Sequence, residues 1–155
     1  MTKNGTITRI IAIVTQHEEA MSHALNVRTY HTVVDAPAEA VFDYIMDLGN
    51  LSRWSIHWCK DVRLVPDGAI VTTANGDLYF GITGDRDSGI LDWWAGPTME
   101  TARRWPTRVV GLPDGRTLYL VTALLADSAP PNVDQWFNDE LSMLKQQVEE
   151  QLVPA

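Results

Sequence analysis

The sequence predicts an α+β fold: a curved antiparallel β-sheet wrapped around a long C-terminal α-helix, with two short helices after the first strand. Three observations carry this. Short β-rich runs separated by turn signals fill residues 61–126. One strong helical repeat follows, in which Phe137, Leu141, Leu144, Val148 and Leu152 form a single apolar stripe. A strand and two short helical segments precede the meander. A sheet with one apolar face and a helix with one apolar stripe bury both by packing on each other. A twisted sheet around a single helix leaves space between them, so a cavity is the expected by-product.

Residues 1–26 form an N-terminal extension whose pattern is compatible with either helix or strand. Ile7, Ile10, Ile11 and Val14 fall near one helical face, yet Ile7, Ile11 and Ile13 also alternate with polar residues. Met21 is an alternative start, and the first twenty residues are expected to be dispensable for the fold. The domain proper is expected at 27–155. Val27–Val34 is rich in β-branched and aromatic residues and reads as the first strand. Pro37 suits the first turn of a helix, with Asp35 or Ala36 near the cap. Val41, Phe42, Ile45 and Met46 supply that helix with an apolar face, and Gly49-Asn50 stops it. Leu51–Trp58 reads as a second short helix or tight turn. Strands are then predicted at Asp61–Val65, Ala69–Ala74, Leu78–Asp85, Ser88–Ala95, within Thr98–Leu112, and at Arg116–Ala126. Asn75-Gly76 and Asp114-Gly115 fall between such runs, where glycine accepts the positive φ of a tight turn. Pro130-Pro131 closes the meander, and Asp134–Leu152 is the long helix.

Composition narrows the function. The 155 residues are 45% apolar and 21% charged, with six tryptophans, as in an ordinary globular domain. Cys59 is the single cysteine, so no internal disulfide forms. Twenty acidic residues against twelve basic ones give a net charge of −8. Arg103, Arg104 and Arg108 are too few to displace counterions from a nucleic acid, and an acidic membrane surface is disfavoured likewise. No apolar run approaches the roughly 20 residues that span a bilayer. A cytoplasmic monomer or homodimer is expected.

Residues 34–45 (VDAPAEAVFDYI) resemble the opening of the START-like, or SRPBCC, superfamily, in which a first strand runs into an Ala-Pro helix start followed by a Val-aromatic pair. Residues 47–54 (DLGNLSRW) are similar to the next piece of that pattern. The segment from Asp139 to Glu149 is similar to the terminal helix of the polyketide cyclase/dehydrase-like branch. The resemblance covers residues 27–152 and leaves out the first 26. It implies the helix-grip fold with an internal cavity. Its motifs are fold-level and say little about chemistry. In the resembled family the first strand is phased so that Tyr30, Thr32 and Val34 face inward and His31 outward.

The candidate ligand-binding residues are Trp54, Trp58, Tyr79, Trp93, Trp94, Arg108 and Tyr119, flat apolar walls and a few placed polar groups. Trp93 and Trp94 are neighbours in a strand, so only one of them can face the cavity. Trp136 is assigned to the outer part of the long helix. The candidate catalytic residues are His57, whose type titrates near neutrality, and Asp92, a carboxylate in an otherwise apolar strand that Arg108 or Arg104 could pair. His57 and Cys59 are two apart, but no second ligand pair accompanies them, so neither a metal site nor a cofactor is expected. Cys59 is expected to be a buried, inert thiol.

Three functions remain open. The first is the binding of a small hydrophobic or aromatic molecule, as a carrier or sensor. The second is a cofactor-free cyclase, aromatase or dehydratase, for which cavity shape and a positioned acid or base would be enough, and which a cavity with His57 and a carboxylate pointing in would favour. The third is a protein-interaction module, favoured by a polar, sealed or absent cavity.

Overall fold

A computed structural model describes residues 26–154. The expectations for the N-terminal segment lie outside the described residues except at Asn26, which opens the first strand. Seven antiparallel strands form one sheet: β1 (Asn26–Val34), β2 (Asp61–Val65), β3 (Gly68–Thr73), β4 (Gly76–Asp85), β5 (Ile90–Gly96), β6 (Arg103–Gly111) and β7 (Thr117–Leu125). Their order is β1-β7-β6-β5-β4-β3-β2. Five hairpins build the meander from β2 to β7, and β7 returns beside β1 in register with Tyr30 opposite Val121. Gly76 (φ 109°) and Gly115 (φ 86°) sit at two of the turns with the positive φ expected of them.

The helices are α1 (Ala38–Met46), α2 (Leu51–Trp54) and α3 (Val133–Gln151), with a 3₁₀ turn at Leu48–Asn50 between the first two. Pro37 occupies the N-cap of α1, one position before the first turn. Asp35 does not cap it. Its backbone N–H donates to Glu149 Oε1 (2.8 Å), and its carboxylate lies 3.8 Å from Lys145 Nζ, so it ties the start of α1 to the end of α3. Gly84 admits α1 to the sheet: a Cβ there would collide with Phe42, Met46 and Leu91. Among the described residues no helix is long and apolar enough to cross a membrane.

The core lies between the concave sheet face and α3. Along β7, Thr117, Tyr119, Val121 and Ala123 alternate inward and are wholly buried, and Tyr30 and Val34 do the same on β1 while His31 is exposed. From α3 come Leu141, Leu144 and Val148. The predicted stripe stops there. Leu152 is 47% exposed at the C-cap, because the helix ends just before it. The N-terminal end of α3 is held by β1. Tyr30 stacks on Phe137 (centroids 4.2 Å apart, planes 3° apart), and its hydroxyl donates to Asp134 (2.6 Å), which also accepts from Arg28 (2.7 Å). Burial and the Asp134 contact push the Tyr30 phenol up to about 12.

Candidate ligand site

Two neighbouring contacts of α3 position the site. It runs closest to β1 and to α2, so the concave face of β4, β5 and β6 is covered by side chains rather than by helix backbone. The space they leave is a cavity of about 170 Å³. Phe80 on β4, Trp93 and Ala95 on β5, Trp105 on β6 and Leu125 on β7 form its sheet wall. Val133, Trp136, Phe137 and Glu140 form its helix wall. Their spacing of three, one and three residues puts them on one face of α3. Ser55 and Trp58 close it from the link after α2, and Ala129 and Pro130 from the link before α3.

Four indoles and two phenyl rings therefore surround the cavity, and they brace one another. Phe80 meets Trp93 edge-on at 5.6 Å and Trp58 at 5.5 Å, and Trp105 stacks near Phe137 at 6.2 Å. Such tilted and edge contacts place the positive edge of one ring on the negative face of the next. Sheet register explains the sheet wall, since Ala95 lies opposite Phe80 and Trp93 opposite Trp105.

Glu140 is the one ionisable residue in this wall and is 7% exposed. Its Oε1 accepts the backbone N–H groups of His57 (3.0 Å) and Trp58 (2.9 Å), and its side chain also hydrogen-bonds Ser55. Burial raises its pKa, and the backbone and Ser55 hydrogen bonds oppose that rise. The carboxylate is thus fixed to the α2–β2 link at the edge of an apolar chamber. A further polar atom in the wall, Trp93 Nε1, is buried with no partner among the described residues, as is Tyr119 Oη behind it.

The residues singled out from sequence fall in three places. Trp58 and Trp93 line the cavity. Trp54 and Tyr119 are buried one layer behind, packed on Trp93 at 5.3 and 6.5 Å. Trp94, Tyr79, Arg108 and Asp92 alternate with inward residues and stand on the convex face, so the structure does not bring them to the cavity. Trp94 donates to Thr83 and carries the Arg104 guanidinium over its ring. Tyr79 lies across Gly81 and donates to the Asp67 carbonyl (2.8 Å). Arg108 donates to the Ser88 carbonyl (3.1 Å) beside a separate polar cleft against α1. Asp92 has Arg104 as its partner at 3.5 Å. It cannot act on a ligand in the cavity from that side of the sheet.

His57 stands at the rim rather than inside. Its Nε2 lies 2.9 Å from Asp139 Oδ2, and its ring stacks on Trp136 (5.5 Å, 15°). That hydrogen bond, with one from Gln135, holds the Asp139 carboxyl below its ordinary range. Trp136 is not on the outer part of α3, as the sequence suggested. It has the cavity on one side and the His57 ring against it. Cys59 is buried, its thiol pushed up to about 11 chiefly by burial, which leaves it no thiolate character at neutral pH.

Sequence reasoning missed Glu140, Trp105, Phe80 and Phe137 as wall residues. The signal for Glu140 was present: it falls beside Leu141 and between Phe137 and Leu144, where a solvated face has no reason to place it.

No family model matches the chain, and no curated protein matches its sequence. Solved structures do match its fold. An aromatase/cyclase from a Streptomyces species, Zhui, superposes with a TM-score of 0.63 at 14% identity, over 84% of this chain and 97% of that one. A START superfamily protein from Mycobacterium smegmatis gives 0.58 at 13% identity, over 81% and 98%. One half of the di-domain aromatase/cyclase BexL gives 0.62 at 19% identity, over 84% of this chain and 48% of that one. At these identities the likeness is one of fold, and the chain has the START-like helix-grip fold.

Proposed function

We propose that the protein binds one small, flat, largely apolar molecule in the cavity between β4–β6 and α3, as a carrier or sensor does. The observation that carries this reading is the wall itself: a 170 Å³ space bounded by six aromatic rings and one carboxylate. That is smaller than the roughly 300–1,000 Å³ of drug-sized sites, so the ligand is compact. The START-like fold supports the reading, because its grip between sheet and helix leaves such a space. For a cyclase-type reading cavity shape and one positioned acid or base would be enough; the two residues expected in that role, His57 and Asp92, stand outside the cavity, and Glu140 is the one acid in its wall.

The test is a tryptophan-quenching titration with a naphthalene-type probe. Saturable quenching with one probe per chain is expected. Ala95→Phe, which fills the cavity from β5, should abolish it, and Trp136→Ala should weaken it about tenfold, the scale of one lost ring contact. Trp94→Ala should leave it unchanged. Non-saturable quenching, or binding untouched by Ala95→Phe, would overturn the proposal.

A further inference from the structure

The cavity contains an imbalance. Its wall is aromatic and aliphatic apart from Ser55 and Glu140, and no Lys, Arg or His side chain belongs to it. A buried carboxylate is costly unless something compensates its charge. Here the compensation comes from two backbone N–H groups, both spent on Oε1, and one hydroxyl. The nearest cationic candidate, His57, turns its ring away to Asp139. Among the described residues no cationic side chain forms an ion pair with Glu140, and His57 favours the charged form of Glu140 only from the rim, through space.

Two properties of the wall favour a ligand that brings that charge. Aromatic faces carry negative potential and attract a cation within about 6 Å of the ring centre, more strongly when water is excluded. Trp136 and Phe137 precede Glu140 by about one helical turn, so both rings and the carboxylate lie on one side of α3, Trp136 giving one face to His57 and Phe137 one to Tyr30. The chain as a whole carries −8, which raises the local concentration of cations rather than anions. A volume of 170 Å³ holds about five or six waters at roughly 30 Å³ each, the size of one aromatic ring with a short tail.

Resting on the binding reading above, we infer that the cavity selects a protonated arylalkylamine, its ring against the indoles and its ammonium donating to Glu140. Glu140 is then the specificity-determining residue, held in position by His57 N–H, Trp58 N–H and Ser55. A carboxylate ligand is excluded by charge. A neutral alcohol of the same shape fits the rings but forgoes the ion pair.

Calorimetric titration with phenethylamine, 2-phenylethanol and phenylacetate separates these terms, because the three share a ring and differ at the end group. In the native protein phenethylamine should bind at least about tenfold more tightly than 2-phenylethanol, and phenylacetate more weakly than both. In Glu140→Gln, whose amide oxygen can still accept the two N–H groups, the amine preference should collapse to within about twofold while 2-phenylethanol binding persists. A purely structural role for Glu140 would not move that ratio. Equal affinity for amine and alcohol in the native protein, or a preference that survives Glu140→Gln, would overturn the inference and leave the binding reading standing. Failure of all three probes would overturn the inference, and the naphthalene titration then decides the binding reading separately. The native amine-to-alcohol ratio decides the matter even if the variant does not fold.

Discussion

Glu140 shows how one side chain can serve the fold and strain it together. It satisfies two N–H groups of the α2–β2 link that α3 would otherwise bury, yet burial raises its pKa above the ordinary 4.5. The folded state therefore holds that proton more tightly than the unfolded chain does. The stability linked to it is present below the unfolded value and lost as pH rises through the folded one. Glu140→Gln removes this titration. Its melting temperature relative to the native protein should rise by a few degrees between about pH 4 and about pH 7, read by circular dichroism at both. A difference that is flat or falls with pH would mean the carboxylate is not desolvated. Asp139 and Asp134 behave oppositely, since hydrogen bonds from His57 and Tyr30 lower them and they contribute as the pH rises. At this scale the sequence was only partly legible. His57 and Asp92 stood out by residue type, but type does not reveal the facing of a side chain. Asp92 shares a strand with Trp93 and points the other way, and His57 spends its ring on Asp139.

The elements were far more readable, because periodicity is a local property and local packing enforces it. All seven strands fall within a few residues of the runs predicted for them, and α3 differs by one residue at each end. The stripe from Leu141 to Val148 is fully buried, with Leu144 at 0% exposure. Leu144→Ala should cost about 2–5 kcal/mol in urea unfolding, the loss of a buried leucine plus the void it leaves. A loss under about 0.5 kcal/mol would place the stripe outside the core. What periodicity hid was a division along one face of the helix. Val133, Trp136, Phe137 and Glu140, on the N-terminal half, line the cavity, while Leu141, Leu144 and Val148 farther along are buried in the core. A single count of apolar steps merged the two and carried the stripe past its end to the exposed Leu152.

For the whole molecule, the curved sheet and the single helix together dictate a chamber, and the wall residues set its chemistry. The six tryptophans sort accordingly: Trp58, Trp93, Trp105 and Trp136 on the wall, Trp54 behind it and Trp94 on the far side of the sheet. This gives the molecule its own reporters. In a ¹⁵N-labelled sample each indole N–H yields one resonance, assignable by single Trp→Phe changes. Titrating a small flat aromatic ligand should shift the resonances of the four wall indoles along one saturable curve, at one ligand per chain, and leave Trp94 where it was. A shift centred on Trp94, or small shifts of all six that never saturate, would contradict the cavity as the binding site.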